Sequence, residues 1–378
     1  MDKALAELVK ISRAVGRDKT LVLGEFGNTS VKTEDGRYMY IKASGTALKD
    51  MSVKKGWRRL KLDSVRAILT DKKFAKIDTD KKQDRLAKLL LSACEDNVGG
   101  GVRPSVESGF HSILDKYVIH LHPAAALAYL CAENGRAELE KLFRRGKIKA
   151  VWVPCASPGC ELVEKIKESI SKYGRLPQVL FLQNHGLVVT ADNMNTAIKL
   201  AKETVSICKA GLKQLRTVKI EKADRRRIAE TVSGIRDVLS EITGRDAAVR
   251  FFIDETIAGF MAGKEAAKIY SQRAVPSGMA HAITLDELVY AGGPAVWLDK
   301  WDKQALINKL KRRVKLPSGF LIKPLGLFVA GDKEKASFIK DVICAHLFIR
   351  RQAASLGGIH FLNKRQLEFI YRIEGQKQ

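Results

Sequence analysis

Ala4, Leu8, Ile11 and Val15 recur at intervals of four, three and four, which makes one apolar stripe of helical period and predicts an opening helix. Short apolar runs at Leu21-Val22-Leu23 and from Tyr38 to Lys42 predict strands, and Glu34-Asp35-Gly36-Arg37 between them has the composition of a hairpin turn. Residues 46 to 98 read as helical and charged. The runs Tyr117-Val118-Ile119 and Val179-Leu180-Phe181-Leu182 read as further strands, and Ile198, Ala201, Val205, Cys208, Leu212 and Leu215 then mark a helix. This pattern predicts an α/β structure in which helices pack on a largely antiparallel sheet.

Past about residue 220 the pattern changes. Lys222 to Ser240 reads as a helix, Val249 to Ile253 as a short strand, and Leu288-Val289-Tyr290 and Ala295 to Leu298 as strands around Gly292-Gly293-Pro294. Leu321 to Gly331 reads as a strand turning into a helix from about Lys333 to Ala354. Gly326 and Gly331 have the spacing of a phosphate loop, but Asp332 follows where Lys-Ser/Thr would be needed, and the chain has no GxGxxG. A chain of 378 residues exceeds one typical domain, so two are expected, residues 1–218 and 219–378.

Hydrophobic residues, 46% of the total, suffice for a core, and no apolar run reaches the 18 or so residues that cross a bilayer. The first residues carry acids early and lack a signal-peptide core, so a cytoplasmic location is expected. The six cysteines form no CxxC pair and mostly lie in apolar stretches, where a reduced thiol behaves as a small hydrophobe. The net charge of +25 raises the question of nucleic acid, yet the basic residues are spread over several helices and aromatic residues are only 7%, too few for a stacking platform. Such charge reads as solvated faces whose field steers small anions.

Four of the seven histidines fall between residues 111 and 185. In a strand, His120 and His122 project to one face while Leu121 points away. His185 closes another apolar run, and Gly186 after it permits a turn that swings a third imidazole toward the pair. Three imidazoles with an open fourth position are the ligand set of a catalytic Zn2+ or another divalent metal. Glu107, four residues before His111, is the nearby carboxylate that would move protons.

These residues resemble the class II aldolase/adducin family. The matching stretches are Gly27-Asn28-Thr29-Ser30, Lys42-Ala43-Ser44-Gly45, Arg103-Pro104-Ser105-Val106-Glu107 through His111, His120-Leu121-His122-Pro123, and Leu182-Gln183-Asn184-His185-Gly186-Leu187, in the family's order. The resemblance is nearest to the aldolase part of the long, dehydrogenase-fused rhamnulose-1-phosphate aldolase-type enzymes, and it covers roughly residues 1 to 215. It implies α/β/α layers around a central, mostly antiparallel sheet, with a smaller C-terminal α/β domain. It implies zinc on His120, His122 and His185, Glu107 as acid/base, and Gly27, Asn28, Ser44, Gly45 and Ser105 around a substrate phosphate. Val106 stands where aldolases often have a second serine.

The implied reaction is cleavage or formation of a carbon–carbon bond in a ketose phosphate such as rhamnulose or fuculose 1-phosphate, giving dihydroxyacetone phosphate and an aldehyde. The family also holds sugar-phosphate epimerases, decarboxylases and dehydratases, and adducin-like scaffolds that lack the metal histidines this chain keeps. A glutamate at 107, where epimerases tend to carry aspartate, favours aldol cleavage. The resemblance further implies a homo-oligomer, tetramer first, while the spread charge and the lack of a long apolar run lead us to expect no nucleic-acid or membrane partner. His281 and Tyr290 lie in a Gly- and Pro-punctuated stretch of the second domain, where a structural role is the expectation.

Overall fold

The computed structural model describes residues 2–71, 79–96, 102–215, 218–220, 224–263, 266, 269, 279 and 281–375. The chain divides into two compact units, one made of Met1–Leu130 with Arg136–Gly211 and the other of Cys131–Gly135 with Leu212–Gln378. The predicted division at 218 stands a few residues later than this one. Cys131–Gly135 joins the second unit through backbone bonds, Glu133 N to Gly358 O and Asn134 N to Leu356 O, which no periodicity in the chain signals.

In the first unit, helix α1 (Lys3–Gly16) starts on Asp2, whose side chain accepts from Ala4 N, and buries Ala4, Leu8, Ile11 and Val15. Strands β1 (Asn28–Lys32), β2 (Tyr38–Lys42), β3 (Trp57–Lys61), β4 (Tyr117–Leu121), β5 (Ala150–Val153), β6 (Val179–Leu182) and β7 (Gly186–Ala191) form one sheet in the order β3-β2-β1-β4-β7-β6-β5. Every pairing is antiparallel except β5 with β6. The helices are α2 (Leu62–Thr70), α3 (Thr79–Ser92), α4 (Ser108–Ile113), α5 (Ala124–Leu130), α6 (Gly135–Phe143), α7 (Cys160–Tyr173) and α8 (Met194–Ala210). One sheet face carries Val118, Leu180, Leu182 and Val188 against Phe110 of α4 and Leu162, Val163 and Ile166 of α7. Helices α1 and α8 pack over the other face, where Ser12 of α1 bonds Thr29 of β1 at 2.6 Å.

In the second unit, β8 (Val249–Phe252), β9 (Val296–Leu298), β10 (Gly319–Ile322) and β11 (Gly326–Ala330) form a sheet in the order β8-β11-β10-β9. Its helices are α9 (Arg225–Thr243), α10 (Glu255–Ala262), α11 (Leu285–Ala291), α12 (Lys303–Leu310), α13 (Lys333–Ser355) and α14 (Lys364–Gly375). The core joins Ile235, Val238 and Leu239 of α9 to Leu306 and Leu310 of α12 across Phe320, Ile322 and Phe328. His281 and Tyr290 pack edge-on against Phe361 and Phe338.

Local expectations differ from the fold in several places: Leu321–Gly331 is the β10–β11 hairpin and not one strand, and the helix marked by Ile198 ends at Ala210, before Leu212 and Leu215. Leu21-Val22-Leu23 is no strand, because Leu21 N and Val22 N bond Asp18 O in a turn and the sheet begins only at Asn28. The charged stretch from 46 to 98 holds strand β3 as well as two helices. Its alternation escapes a hydrophobic reading because Arg58, paired with Asp96 at 3.0 Å, shares the buried face with Leu60; residues 72–78 and 97–98 lie outside the described residues. Leu288-Val289-Tyr290 is helical: Thr284 caps α11 by accepting from Glu287 N, and Leu285, Leu288 and Ala291 recur every third residue before Gly292 turns left-handed. Of the expected 222–240 helix, residues 222–223 lie outside the described residues and α9 runs from Arg225.

Lys32 anchors the short helix that carries His111. Its buried ammonium donates to the carbonyls of His111, Leu114 and Asp115 at 2.7, 2.8 and 2.6 Å, three acceptors for three protons at a helix C-terminus. Burial pushes this ammonium down to about 7. Lys32→Met keeps the stem but leaves three carbonyls unsatisfied, and is expected to cost about 2–4 kcal/mol in a urea melt. A loss under about 1 kcal/mol would show that the anchor is dispensable.

Candidate metal centre

Strand β4 sits beside β1 and β7, and its register decides which side chains meet. His120 pairs with Asn28 on β1 and with Val188 on β7. His120 therefore shares a face with Val118 and Val188, the face over which Phe110 lies, and its ring meets Phe110 edge-on at 5.6 Å. His122 follows at the strand end and stacks on Phe26. The β6–β7 hairpin brings in His185. Its turn relies on Asn184, which takes a positive φ of 55°, so the left-handed residue is the asparagine and not the glycine the sequence pointed to. Gly186 serves a different need. A Cβ there would stand 2.6 Å from His122 Cδ2, 2.6 Å from Leu121 O and 3.1 Å from His120 Cε1. Only a residue without a side chain lets the two imidazoles lie against the hairpin.

His120, His122 and His185 are buried, and one ring nitrogen from each lies within 4.8 Å of the others. His120 Nδ1 donates to Leu187 O at 3.1 Å, so its Nε2 turns a lone pair into the cluster, 2.9 Å from His122 Nε2. Burial pushes His120 down to about 3. Glu107 closes the group: its Oε1 is 3.1 Å from His185 Nε2 and its Oε2 is 3.4 Å from His120 Nε2. Burial raises the Glu107 carboxyl, but His120, His185 and an Asn28 hydrogen bond outweigh this and hold it well below the usual carboxylate range. His185 Nδ1 is buried with no hydrogen-bond partner among the described residues. Imidazole lone pairs converging beside a buried, ionised carboxylate are electrostatically incomplete, and this donor set fits a divalent cation.

Behind Glu107 runs a chain of hydrogen bonds. Asn28 Nδ2 donates to Glu107 Oε2 at 2.6 Å and to Ser105 Oγ at 3.2 Å, which turns Asn28 Oδ1 toward His111 Nε2. His111 Nε2 must then carry the proton, and its Nδ1 accepts from Ser30 Oγ at 2.7 Å. Burial holds the His111 imidazole well below its ordinary range, so it stays neutral in this relay. Lys42, also buried, adds its charge near Glu107, while burial lowers its own pKa. Ser30 and Lys32 carry no motif that marks them as site residues; they share a β1 face with Asn28, and this period of two is the signal in the chain that points to them.

The remaining candidates take different places. Asn28 is spent between Glu107 and His111, and Gly27, at φ +80°, lies on the β4 backbone where a Cβ would stand 2.3 Å from His120 O. Ser44 N donates to Arg103 O, and the Ala43–Pro104 bridge brings the Ser44-Gly45 turn to the segment carrying Ser105. Ser105 Oγ accepts from Glu107 N at 3.3 Å. Gly45 has φ +77° with open space around it.

A family model for the class II aldolase and adducin N-terminal domain matches residues 6–212, and the chain belongs to this family. An uncharacterized oxidoreductase from Bacillus subtilis strain 168, YuxG, is 30% identical over 215 residues, which are 55% of this chain and 29% of that protein. The chain thus spans under a third of that relative. The N-terminal class II aldolase domain of a protein from Thermoplasma acidophilum is 27% identical, over 56% of this chain and 94% of the other, with a TM-score of 0.46. An L-fuculose 1-phosphate aldolase is 16% identical, over 56% of this chain and 85% of its own, at a TM-score of 0.38. Among the described residues no helix is long and apolar enough to cross a membrane.

The close approach at Gly186 makes a direct test. Gly186→Ala is expected to leave the circular dichroism spectrum unchanged while weakening metal binding about 10- to 100-fold in a competition titration, the range for disturbing the support of a ligand histidine. Wild-type affinity would show that the two imidazoles tolerate displacement.

Proposed function

We propose that the chain is a zinc-dependent lyase of the class II aldolase type, acting on a ketose phosphate of the rhamnulose or fuculose 1-phosphate kind. The observation that carries this reading is the convergence of His120, His122 and His185 beside the ionised Glu107. The three histidines would hold the ion, which when bound polarises the substrate carbonyl and stabilises the charge of an enediolate. Glu107 does the proton work. As a carboxylate it takes the proton of the hydroxyl on the carbon that becomes the aldehyde; the carbon–carbon bond then breaks, its electrons pass toward the ketone, and the carbanionic carbon is reprotonated. The Asn28–His111–Ser30 relay orients the carboxylate without competing for its protons, because Asn28 offers it only an N–H.

Ser105 and the Ser44-Gly45 turn supply the anion seat in this reading. A left-handed glycine in open space lets an anion approach the backbone closely, and two hydroxyls lie on segments joined by the Ser44 N to Arg103 O bond. Gly27 and Asn28 support the site from behind instead. Basic side chains in excess over the whole chain favour the arrival of a phosphorylated substrate.

His185→Ala is expected to lose most bound zinc together with activity, whereas Glu107→Gln keeps zinc near wild type and loses about 10²- to 10⁴-fold in rate. Metal analysis paired with an aldehyde-detecting assay over ketose phosphates checks both. Full zinc occupancy in His185→Ala, or zinc loss in Glu107→Gln, would overturn these residue roles; ketose phosphates that epimerise without aldehyde release would overturn the reaction.

A further inference from the structure

The second unit repeats the histidine-bearing half of the first. Strands β5-β6-β7-β4 and β9-β10-β11-β8 lie in the same order, each with one parallel pair followed by two antiparallel pairs. Their registers coincide: Leu182 pairs with Gly186 as Ile322 pairs with Gly326, and Leu121 pairs with Leu187 as Phe252 pairs with Leu327. Bonds outside the ladders match too, Gln183 N to Val153 O with Lys323 N to Leu298 O, and Thr190 N to Gln178 O with Ala330 N to Ser318 O. Val151-Trp152 aligns with Val296-Trp297, and Pro177, Gly186, Leu187, Val189 and Asp192 align with Pro317, Gly326, Leu327, Val329 and Asp332. Gly326 even repeats the close approach of Gly186. A Cβ on it would stand 2.7 Å from Phe252 O and from Phe251 Cε2, where Gly186 meets Leu121 O and the imidazoles.

This correspondence puts Phe251, Ile253 and Leu325 at the positions of His120, His122 and His185. None can bind a metal. Yet space remains at this place: a cavity of about 370 Å³ is lined by Ile253 and Leu325, with Ala258, Met261 and Pro324 adding apolar wall. Lys219, Arg227 and Lys323 also line it, and none of the three side chains is ion-paired among the described residues. The single acid there, Asp224, is occupied in capping α9 through Arg226 N and Arg227 N. Where the first copy gathers three imidazoles and a carboxylate, the second thus has three side-chain cations around an apolar floor.

We propose that this cavity is a metal-independent binding site for a small molecule with one anionic head and an apolar body of several carbons. The cations receive the head, and Ile253, Met261 and Leu325 receive the body. The shared chemistry covers both a carboxylate and a phosphate ester, so hexanoate and hexyl phosphate serve as probes, with acetate as a head lacking the body. Calorimetric titration of the full chain stripped of metal is expected to show one site for at least one six-carbon probe, bound at least ten-fold more tightly than acetate. His185→Ala should bind that probe equally well, which separates this site from the catalytic one. Ala258→Trp fills the cavity and should abolish binding, and Arg227→Glu combined with Lys323→Glu should weaken it at least ten-fold while the zinc content stays at wild type. Absence of binding by both six-carbon probes, or binding untouched by Ala258→Trp and by the double charge reversal, would overturn the proposal.

Discussion

The register of β4 between β1 and β7 is the constraint on which the centre depends. With His120 opposite Asn28 and Val188, one sheet face presents His120 beside the carboxylate of Glu107 and leaves Ile119 and Leu121 to the other face. Because side chains alternate, a slip of one residue would move His120 away from that face and bury Leu121 in its place. The register is held from both sides by fully buried apolar residues, Val118, Ile119 and Leu121 on β4 and Leu187, Val188 and Val189 on β7. The packing that stabilises the fold thus also aims the imidazoles.

Around this geometry the charges are arranged so that each group can keep one role. Burial holds His120 unprotonated, and the Leu187 carbonyl turns its lone pair inward. Glu107 stays ionised despite burial, with Asn28 Nδ2 donating to its Oε2 and His185 Nε2 beside its Oε1. Asn28 can serve only if its amide is oriented, and His111, pinned by Ser30 on one side and by its own helix on the other, orients it. Lys32 closes the end of that helix. The site is therefore supported by a line of polar groups three side chains deep, each satisfied by the next.

Much of this is legible in the chain. The HxH pair on an apolar run, the histidine at the end of another and the preceding glutamate point to the cluster the fold brings together, and spacing alone places His120 and His122 on one face. The supporting layer is less visible. Ser30 and Lys32 look like ordinary polar strand residues, and only the partner that β1 finds 80 or so residues later gives them their tasks. Gly186 reads as a turn residue, whereas the turn belongs to Asn184 and the glycine answers a steric demand that needs three dimensions to see. Arg58 hides a strand by taking an apolar position with its Asp96 partner, and α11 is hidden in a short apolar triplet whose cap lies a full turn upstream. The repeat in the second unit is masked for a related reason. Its ligand positions are Phe251, Ile253 and Leu325, so the residues that advertise the first copy are the ones the second lacks.

The same strand scaffold thus carries two side-chain sets, one of imidazoles and a carboxylate, the other of apolar side chains ringed by basic ones. What distinguishes them is the ligand set, and that is the part most open to direct observation. X-ray absorption at the zinc edge of the loaded protein reads it without any assumption about substrate. The account predicts a first shell of nitrogen and oxygen only, with the outer-shell scattering of three imidazole rings; a sulfur ligand, or fewer than three imidazoles, would contradict it.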